Sequence, residues 1–355
     1  MASNSIEELI RAWDGESVVV RFDAPTGTWI FIALHSSRLG QPTGGCRMKV
    51  YTEPADGLRD AMRLAEGMTC KWAALEMGCG GGKAVLAVPV MLTGEARRGL
   101  LERFARLLNR LRGSFSTGRD LGTTDDDMRV MAGISRWVHG IDRQTGAARD
   151  PGPYTARGVF AAIRATGKQL FGTADLKGRS ILIQGTGAVG APLARLLAAQ
   201  GATLLLSDVD TGAVTSLAQE LGASLVAPEA VIDTVCDIYA PCAMGATLDA
   251  AAIRRLQCRA VTGSANNQLG EPADADRLHQ RGILYAPDYI TNGGGAKAFL
   301  SIQQGIKDED ELALKMDAIG DFLGDIFTEA ADKAESPART ARRRVDAVLA
   351  AAAER

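Results

Sequence analysis

Ile181-Leu182-Ile183-Gln184-Gly185-Thr186-Gly187-Ala188-Val189-Gly190 changes period in its middle. Three consecutive large apolar residues read as a buried strand, and the G-x-G-x-x-G that follows opens a helix running through Ala188–Gln200. Gly185 permits a tight turn, Gly187 lets backbone approach a pyrophosphate, and Gly190 allows close packing of helix on strand. Thr186, Ala188 and Val189 complete the turn, whose N–H groups and positive helix end suit phosphate. The next strand ends at Asp208, 23 residues after Gly185. An acid there accepts both hydroxyls of an adenosine ribose and repels a 2′-phosphate. Asp210, with no Arg or Lys in 207–211, strengthens the case for NAD over NADP.

Outward from this stretch, strand-like and helix-like runs alternate: Ser180–Gln184, Ala188–Gln200, Thr203–Ser207, Ala213–Leu221, Asp237–Ala240 and Ala260–Thr262. Alternation of this kind predicts a parallel sheet flanked by helices, a Rossmann-type doubly wound α/β domain. Upstream, Val18–Phe22 and Trp29–Leu34 flank Thr26-Gly27 and read as a hairpin. From Pro54, Leu58, Met62 and Ala65 mark a helix face; Lys83–Val88 reads as a buried strand ended by Pro89. Thr93 is placed to cap a helix whose Leu100, Leu101, Phe104, Leu107, Leu108 and Leu111 form a stripe opposite arginines read as a solvated face. The stretch from Gly140 to Pro153 is poor in apolar residues and reads as a connection. The expected division is therefore 1–142, an α/β domain rejoined by C-terminal helices 325–355, and 143–324, with the active site in the cleft between them.

The whole chain of 355 residues carries 40 Lys+Arg against 42 Asp+Glu, without the basic footprint of a nucleic-acid binder. Arg339 and Arg342–Arg344 form the one basic cluster and read as a solvated or subunit-contact face. The N-terminal segment lacks the apolar run of a signal peptide, and no window is apolar enough to span a bilayer. Cys46, Cys70, Cys79, Cys236, Cys242 and Cys258 form no C-x-x-C pair, so no metal site is expected, and reduced thiols in the cytoplasm are. Three histidines (His35, His139, His279) fall outside every motif, which directs attention to other catalytic groups.

Those groups stand among small residues: Thr43-Gly44-Gly45-Cys46-Arg47-Met48, Met68-Thr69-Cys70-Lys71, and Gly80-Gly81-Gly82-Lys83. Glycines before Lys83 suggest bare backbone beside an ammonium, suited to an anionic or carbonyl substrate. A lysine on a buried strand needs a partner. Ser116-Thr117-Gly118-Arg119-Asp120-Leu121-Gly122-Thr123-Thr124 offers an acid at the end of a short strand.

Together with Tyr154-Thr155-Ala156-Arg157-Gly158, Ala240-Pro241-Cys242-Ala243-Met244-Gly245, Gly263-Ser264-Ala265-Asn266-Asn267-Gln268 and Tyr285-Ala286-Pro287-Asp288-Tyr289-Ile290-Thr291-Asn292, these motifs resemble the glutamate/leucine/phenylalanine/valine dehydrogenase superfamily. The likeness covers nearly the whole chain and is greatest to the leucine/phenylalanine branch. It implies that Lys71 holds a substrate carboxylate, beside Gly44, Gly45 and Asn266 or Asn267. It implies further that Lys83 polarises a carbonyl or activates water, that Asp120 handles the amine proton, and that Asn292 closes the pocket. Thr155 is similar to the residue that fixes the nicotinamide carboxamide; Ala240, Pro241, Cys242 and Asn266 lie along the cofactor's path. The implied reaction is NAD-dependent deamination of an apolar amino acid to a 2-oxo acid and ammonia, by a homo-oligomer assembled through its first domain and C-terminal helices.

Thr43, Gly118, Ala296 and Phe299 resemble the family's side-chain pocket; the small Gly118 and Ala296 lean towards aromatic over branched substrates. Cys46, Arg119 and Lys297 depart from the family pattern. Arg119, next to Asp120, is placed to lower its pKa, and Lys297 reads as solvent-facing. Two alternatives stay open: a reductive enzyme using another 2-oxo acid or amine, and a silent NAD-binding homologue.

Overall fold

The computed structural model describes residues 6–142, 145–148, 150–243, 247–306 and 308–353. Met244 and Gly245 of the Ala240 motif lie outside the described residues. The chain divides into two compact units, Met1–Asp150 with Val345–Arg355, and Pro151–Arg344.

In the first unit, α1 (Ile6–Ala12) precedes the hairpin β1 (Ser17–Asp23) and β2 (Thr28–Ser36). Then come β3 (Pro42–Val50), α2 (Pro54–Ala74), β4 (Gly80–Val88), α3 (Gly94–Arg110), β5 (Ser116–Arg119) and α4 (Asp125–Ala132). The sheet order is β1-β2-β4-β3-β5, with β3 parallel to both β4 and β5. Strand β4 is buried throughout because both sheet faces are covered: Ala84 and Leu86 pack with α3 side chains such as Leu101 and Phe104, Val85 and Ala87 with Leu58 and Met62 of α2.

Two local readings are corrected here. Thr93 precedes α3 without a side-chain capping bond. Nor are the α3 arginines all solvated: Arg97 bonds Asp127 Oδ1 at 2.8 Å, and Arg103 grips the buried Asp23 through contacts of 2.6 and 2.8 Å.

The second unit opens with α5 (Gly152–Phe171) and continues through β6 (Ser180–Gln184), α6 (Gly190–Ala199), β7 (Thr203–Ser207), α7 (Thr211–Leu221) and β8 (Ser224–Leu225). After β9 (Cys236–Pro241) follow α8 (Ala250–Arg255), β10 (Cys258–Val261), α9 (Asp274–Gln280), β11 (Leu284–Tyr285), α10 (Asp288–Thr291) and α11 (Gly294–Gln303). The last helices are α12 (Glu309–Asp332) and α13 (Pro337–Ala353). All six strands are parallel in the order β11-β10-β9-β6-β7-β8. Counted along the chain this is the doubly wound order, with its switch point between β6 and β9. Ile163, Leu193 and Leu197 cover one face of the sheet, and Ile253, Leu256 and Leu278 the other.

Helix α12 lies along α5 within this second unit, close enough that a Cβ on Gly320 would sit 2.6 Å from the Ala161 carbonyl oxygen. The segment grouped with the first unit is 345–355, where the sequence reading put 325–355. The basic cluster is largely spent inside the chain: Arg339 holds Asp276, while Arg343 and Arg344 reach Glu329 of α12 at 2.6 and 2.7 Å. Among the described residues no helix is long and apolar enough to cross a membrane.

Candidate active site

Parallel register assembles a cluster of side chains in the first unit. Cys46 on β3 stands beside Ala84 on β4 and Arg119 on β5, which puts Gly45 between Lys83 and Gly118. Side chains from β4 and from beyond β5 are about 9–10 Å apart at their roots, two strand spacings. Lys83, 4% exposed, closes that gap: its Nζ pairs with Asp120 Oδ2 across β3. Gly45 leaves the passage clear, since a Cβ there would stand 2.7 Å from Asp120 Cβ and 2.9 Å from its Oδ2. Gly44 points to the other face, where a Cβ would meet the Gly82 carbonyl oxygen at 1.8 Å.

The glycines before Lys83 do not supply bare backbone to a substrate. They lie inside β4, fully buried, with Gly81 pressed against Thr69 and Ala65 of α2 and Gly82 against Phe115. Their absent side chains let a helix sit directly on the strand. Thr43 is likewise occupied, its hydroxyl donating to the Gln41 carbonyl at 3.0 Å and sharing a 2.8 Å bond with Ser116. Lys71 is half-buried in the last turn of α2, and its neighbour Trp72 donates Nε1 to the Thr43 carbonyl at 2.8 Å, tying helix end to strand. Gly118 has room: the nearest atom to a Cβ there is His139 Cβ at 3.8 Å.

Asp120 sits on a pinned loop. Its N–H donates to Thr123 Oγ1 at 3.0 Å, and the same hydroxyl donates to the Cys46 carbonyl at 2.9 Å. Arg97 donates to the Gly122 carbonyl at 2.8 Å, and a capping box joins Thr124 to Asp127 at the start of α4. Burial alone raises the Asp120 pKa, but Lys83 and Arg47 outweigh it and hold the carboxyl well below the usual carboxylate range. The cation expected to do this, Arg119, turns instead to Asp125 Oδ1 at 3.0 Å. Arg47, which sequence reasoning passed over, donates Nε to Asp120 Oδ1 at 2.9 Å. Its signal was strand parity: Thr43, Gly45 and Arg47 alternate with the buried Gly44, Cys46 and Met48. Cys46 itself is core, and its burial, together with the nearby Asp120 charge, keeps the thiol protonated.

In the second unit a separate cluster lies at the carboxyl ends of β6, β9 and β10. Gly185 has φ of +95°, space around Gly187 is open within 4 Å, and a Cβ on Gly190 would meet the Gly185 carbonyl oxygen at 1.8 Å. Those environments match a tight turn, an open approach and a close contact. The Cys242 N–H donates to the Gln184 carbonyl at 2.7 Å, setting Ala240, Pro241 and Cys242 beside the turn. Asp208 accepts from the Thr186 N–H at 2.6 Å and from its hydroxyl at 3.1 Å. Burial raises the Asp208 pKa; the Thr186 and Asp210 N–H groups outweigh it and keep the carboxyl ionised. Asp210, counted beside Asp208 in favour of NAD over NADP, caps α7 through the Ala213 N–H at 3.0 Å. The turn, exposed at Gly187 and Ala188, and the acid beside it fit a dinucleotide.

Nearby, Asn292 donates to Asn266 Oδ1 at 2.7 Å, while its own buried Oδ1 has no partner among the described residues. Asn267 adopts φ of +53°. Thr155 donates to the Pro151 carbonyl at 2.9 Å and accepts from the Gly295 N–H at 3.1 Å, which leaves one hydroxyl lone pair. Ala296 and Phe299 are half-buried at i and i+3 on one face of α11. Lys297 is also half-buried.

A doubly wound sheet with a phosphate-fitting turn, in one chain with a buried lysine–aspartate pair, is the equipment of a dinucleotide-dependent oxidoreductase acting on an ionisable small molecule. Comparison narrows this class. The chain matches the Glu/Leu/Phe/Val dehydrogenase dimerisation domain over residues 21–136 and Glutamate/Leucine/Phenylalanine/Valine dehydrogenase over residues 204–354. It is 40% identical over 294 residues to leucine dehydrogenase of Bacillus cereus, covering 82% of this chain and 79% of that one. Phenylalanine dehydrogenase of Lysinibacillus sphaericus is 38% identical over 325 residues, covering 89% and 84%. The crystal structure of L-tryptophan dehydrogenase from Nostoc punctiforme superposes with a TM-score of 0.82 at 32% identity, covering 99% of this chain and 100% of that one. The chain belongs to the glutamate/leucine/phenylalanine/valine dehydrogenase family and is an amino-acid dehydrogenase.

Proposed function

We propose that this chain catalyses reversible, NAD-dependent oxidative deamination of an apolar L-amino acid, yielding the 2-oxo acid and ammonia. The observation that carries the reading is the buried Lys83–Asp120 pair spanning Gly45. Lys71, with the backbone at Gly44 and Gly45, takes the substrate carboxylate. Asp120, held as a carboxylate, receives a proton from the substrate ammonium. NAD, when bound, supplies the hydride acceptor for the substrate Cα. Lys83, as an ammonium, orients the water that adds to the iminium carbon and sets positive charge against the oxygen that develops there, and the proton this water sheds leaves to solvent. As the carbinolamine collapses, Asp120 returns its proton to the departing nitrogen. Asn266, Asn292, Ala296 and Phe299 are assigned to the substrate by the same reading, as are Thr43 and Gly118.

Gly185 to Gly190, Thr155, Asp208 and Ala240 to Cys242 are assigned to NAD, and Asp208 to its adenosine ribose. Asp208→Ala is expected to raise KM for NAD roughly 10- to 100-fold, the worth of hydrogen bonds to a charged group, and to narrow the preference over NADP. An unchanged NAD/NADP ratio rejects the ribose assignment. The six cysteines, outside any disulfide and five of them buried, support a cytoplasmic location, and the dimerisation-domain match supports a homo-oligomer.

The direct test is NADH formation across the common amino acids. Turnover is expected with large apolar side chains, aromatic ones above branched, and glutamate is expected to be poor. Activity on glutamate alone, or on none, rejects the reading.

A further inference from the structure

The structure assigns Arg47 as a positioning residue that makes Oδ2 the only atom of Asp120 able to exchange a proton; this rests on the proposed role of Asp120. Asp120 Oδ1 accepts from Arg47 Nε at 2.9 Å and from the Leu121 N–H at 2.7 Å, so both its lone pairs are engaged. Among the described residues, Lys83 is the hydrogen-bond partner of Oδ2. A carboxylate fixed in this way cannot rotate to present the other oxygen, and any proton it takes arrives beside the Lys83 ammonium.

Arg47 is itself held from behind. Its Nη1 donates to Asp60 Oδ2 at 2.9 Å, and Asp60 is steadied by the Tyr51 hydroxyl at 2.6 Å and by Arg63 at 2.8 Å. Both guanidinium contacts are shielded, with the Arg47, Asp60 and Asp120 side chains only 12%, 12% and 15% exposed. The fork geometry of a guanidinium spans two carboxylates; an ammonium reaches one. The chain thus alternates in sign, Asp60, Arg47, Asp120, Lys83, across β3. Cys46 on β3 feels the Asp120 charge and also faces Asp127 on α4 and Arg97 on α3, which pair with each other, while the adjacent Arg119 pairs with Asp125.

The test uses Arg47→Gln and Arg47→Lys in the full-length protein, checked for wild-type circular dichroism. Arg47→Gln is expected to move the acid limb of kcat/KM upwards by roughly 1–2 pH units, as loss of a neighbouring cation requires, and to lower kcat about 10- to 100-fold. Arg47→Lys keeps the charge and loses the fork, so its kcat falls about tenfold while the acid limb stays near wild type. Carbon-13 NMR of aspartate carboxyls, with the Asp120 signal identified by its loss in Asp120→Asn, follows the same midpoint without turnover. An Asp120 midpoint unmoved in Arg47→Gln, or wild-type kcat in a folded Arg47→Lys, overturns the assignment. Should Arg47→Gln fail to fold, the kcat of Arg47→Lys decides. A wild-type protein that reduces NAD with no amino acid sinks the functional reading instead, while the titration still decides what Arg47 does to Asp120.

Discussion

Asp120→Asn is expected to lower kcat by about 10³- to 10⁴-fold, with NADH binding by fluorescence titration at its wild-type value. Lys83→Ala should do the same to turnover, yet the two variants differ in stability. Removing the Asp120 charge strands the Lys83 ammonium, 4% exposed, whereas Arg47 still keeps Asp60. Breaking a buried pair from one side costs about 3–5 kcal/mol. Lys83→Ala leaves Asp120 bound to Arg47 and the Leu121 N–H, so it costs less. Thermal melting should therefore rank wild type above Lys83→Ala and Lys83→Ala above Asp120→Asn.

Acidification gives the same pair a second signature. The folded Asp120 pKa lies below its unfolded value of about 3.9, so its contribution is complete above that pH and disappears as pH falls through the folded value. Urea midpoints of the wild type should fall on acidification more steeply than those of Asp120→Asn. Retained turnover in either variant, or identical melting of both, contradicts the roles given to the pair.

Gly45→Ala carries the other large effect. One methyl group enters the gap that the Lys83–Asp120 contact crosses, 2.9 Å from Oδ2. Turnover should drop about 10²- to 10³-fold, approaching the loss of the acid–base group itself, with overpacking adding about 1–3 kcal/mol of destabilisation. Gly44→Ala is the matched control. Its Cβ would lie 1.8 Å from a backbone oxygen of β4, so strands must part and the protein is expected to yield little soluble material. Comparable turnover in Gly45→Ala and wild type would show that Lys83 and Asp120 need no contact across β3.

Much of this architecture was legible in the residues. The alternation downstream of Ser180 became six parallel strands, and the hairpin at Thr26-Gly27 pairs as read. Such elements declare themselves because their period and turn chemistry are local. The reading of Gly80–Gly82 as open backbone failed for the opposite reason: a glycine looks the same whether a ligand or a helix approaches it. The arginines misled similarly, since charge is local but its partner is not. Arg119 is adjacent to Asp120 in sequence and pairs elsewhere, while Arg47, 73 positions away, holds it.

The glycine turn, the acid at the end of β7, and a lysine and an aspartate set among small residues can be read from the chain alone, because each depends on spacing within one or two elements. That Lys83 and Asp120 meet over Gly45, and that Arg47 reaches Asp120 Oδ1, came from the folded arrangement. Those facts follow from parallel register between strands far apart in the chain, where one step of slippage would turn every side chain to the opposite face.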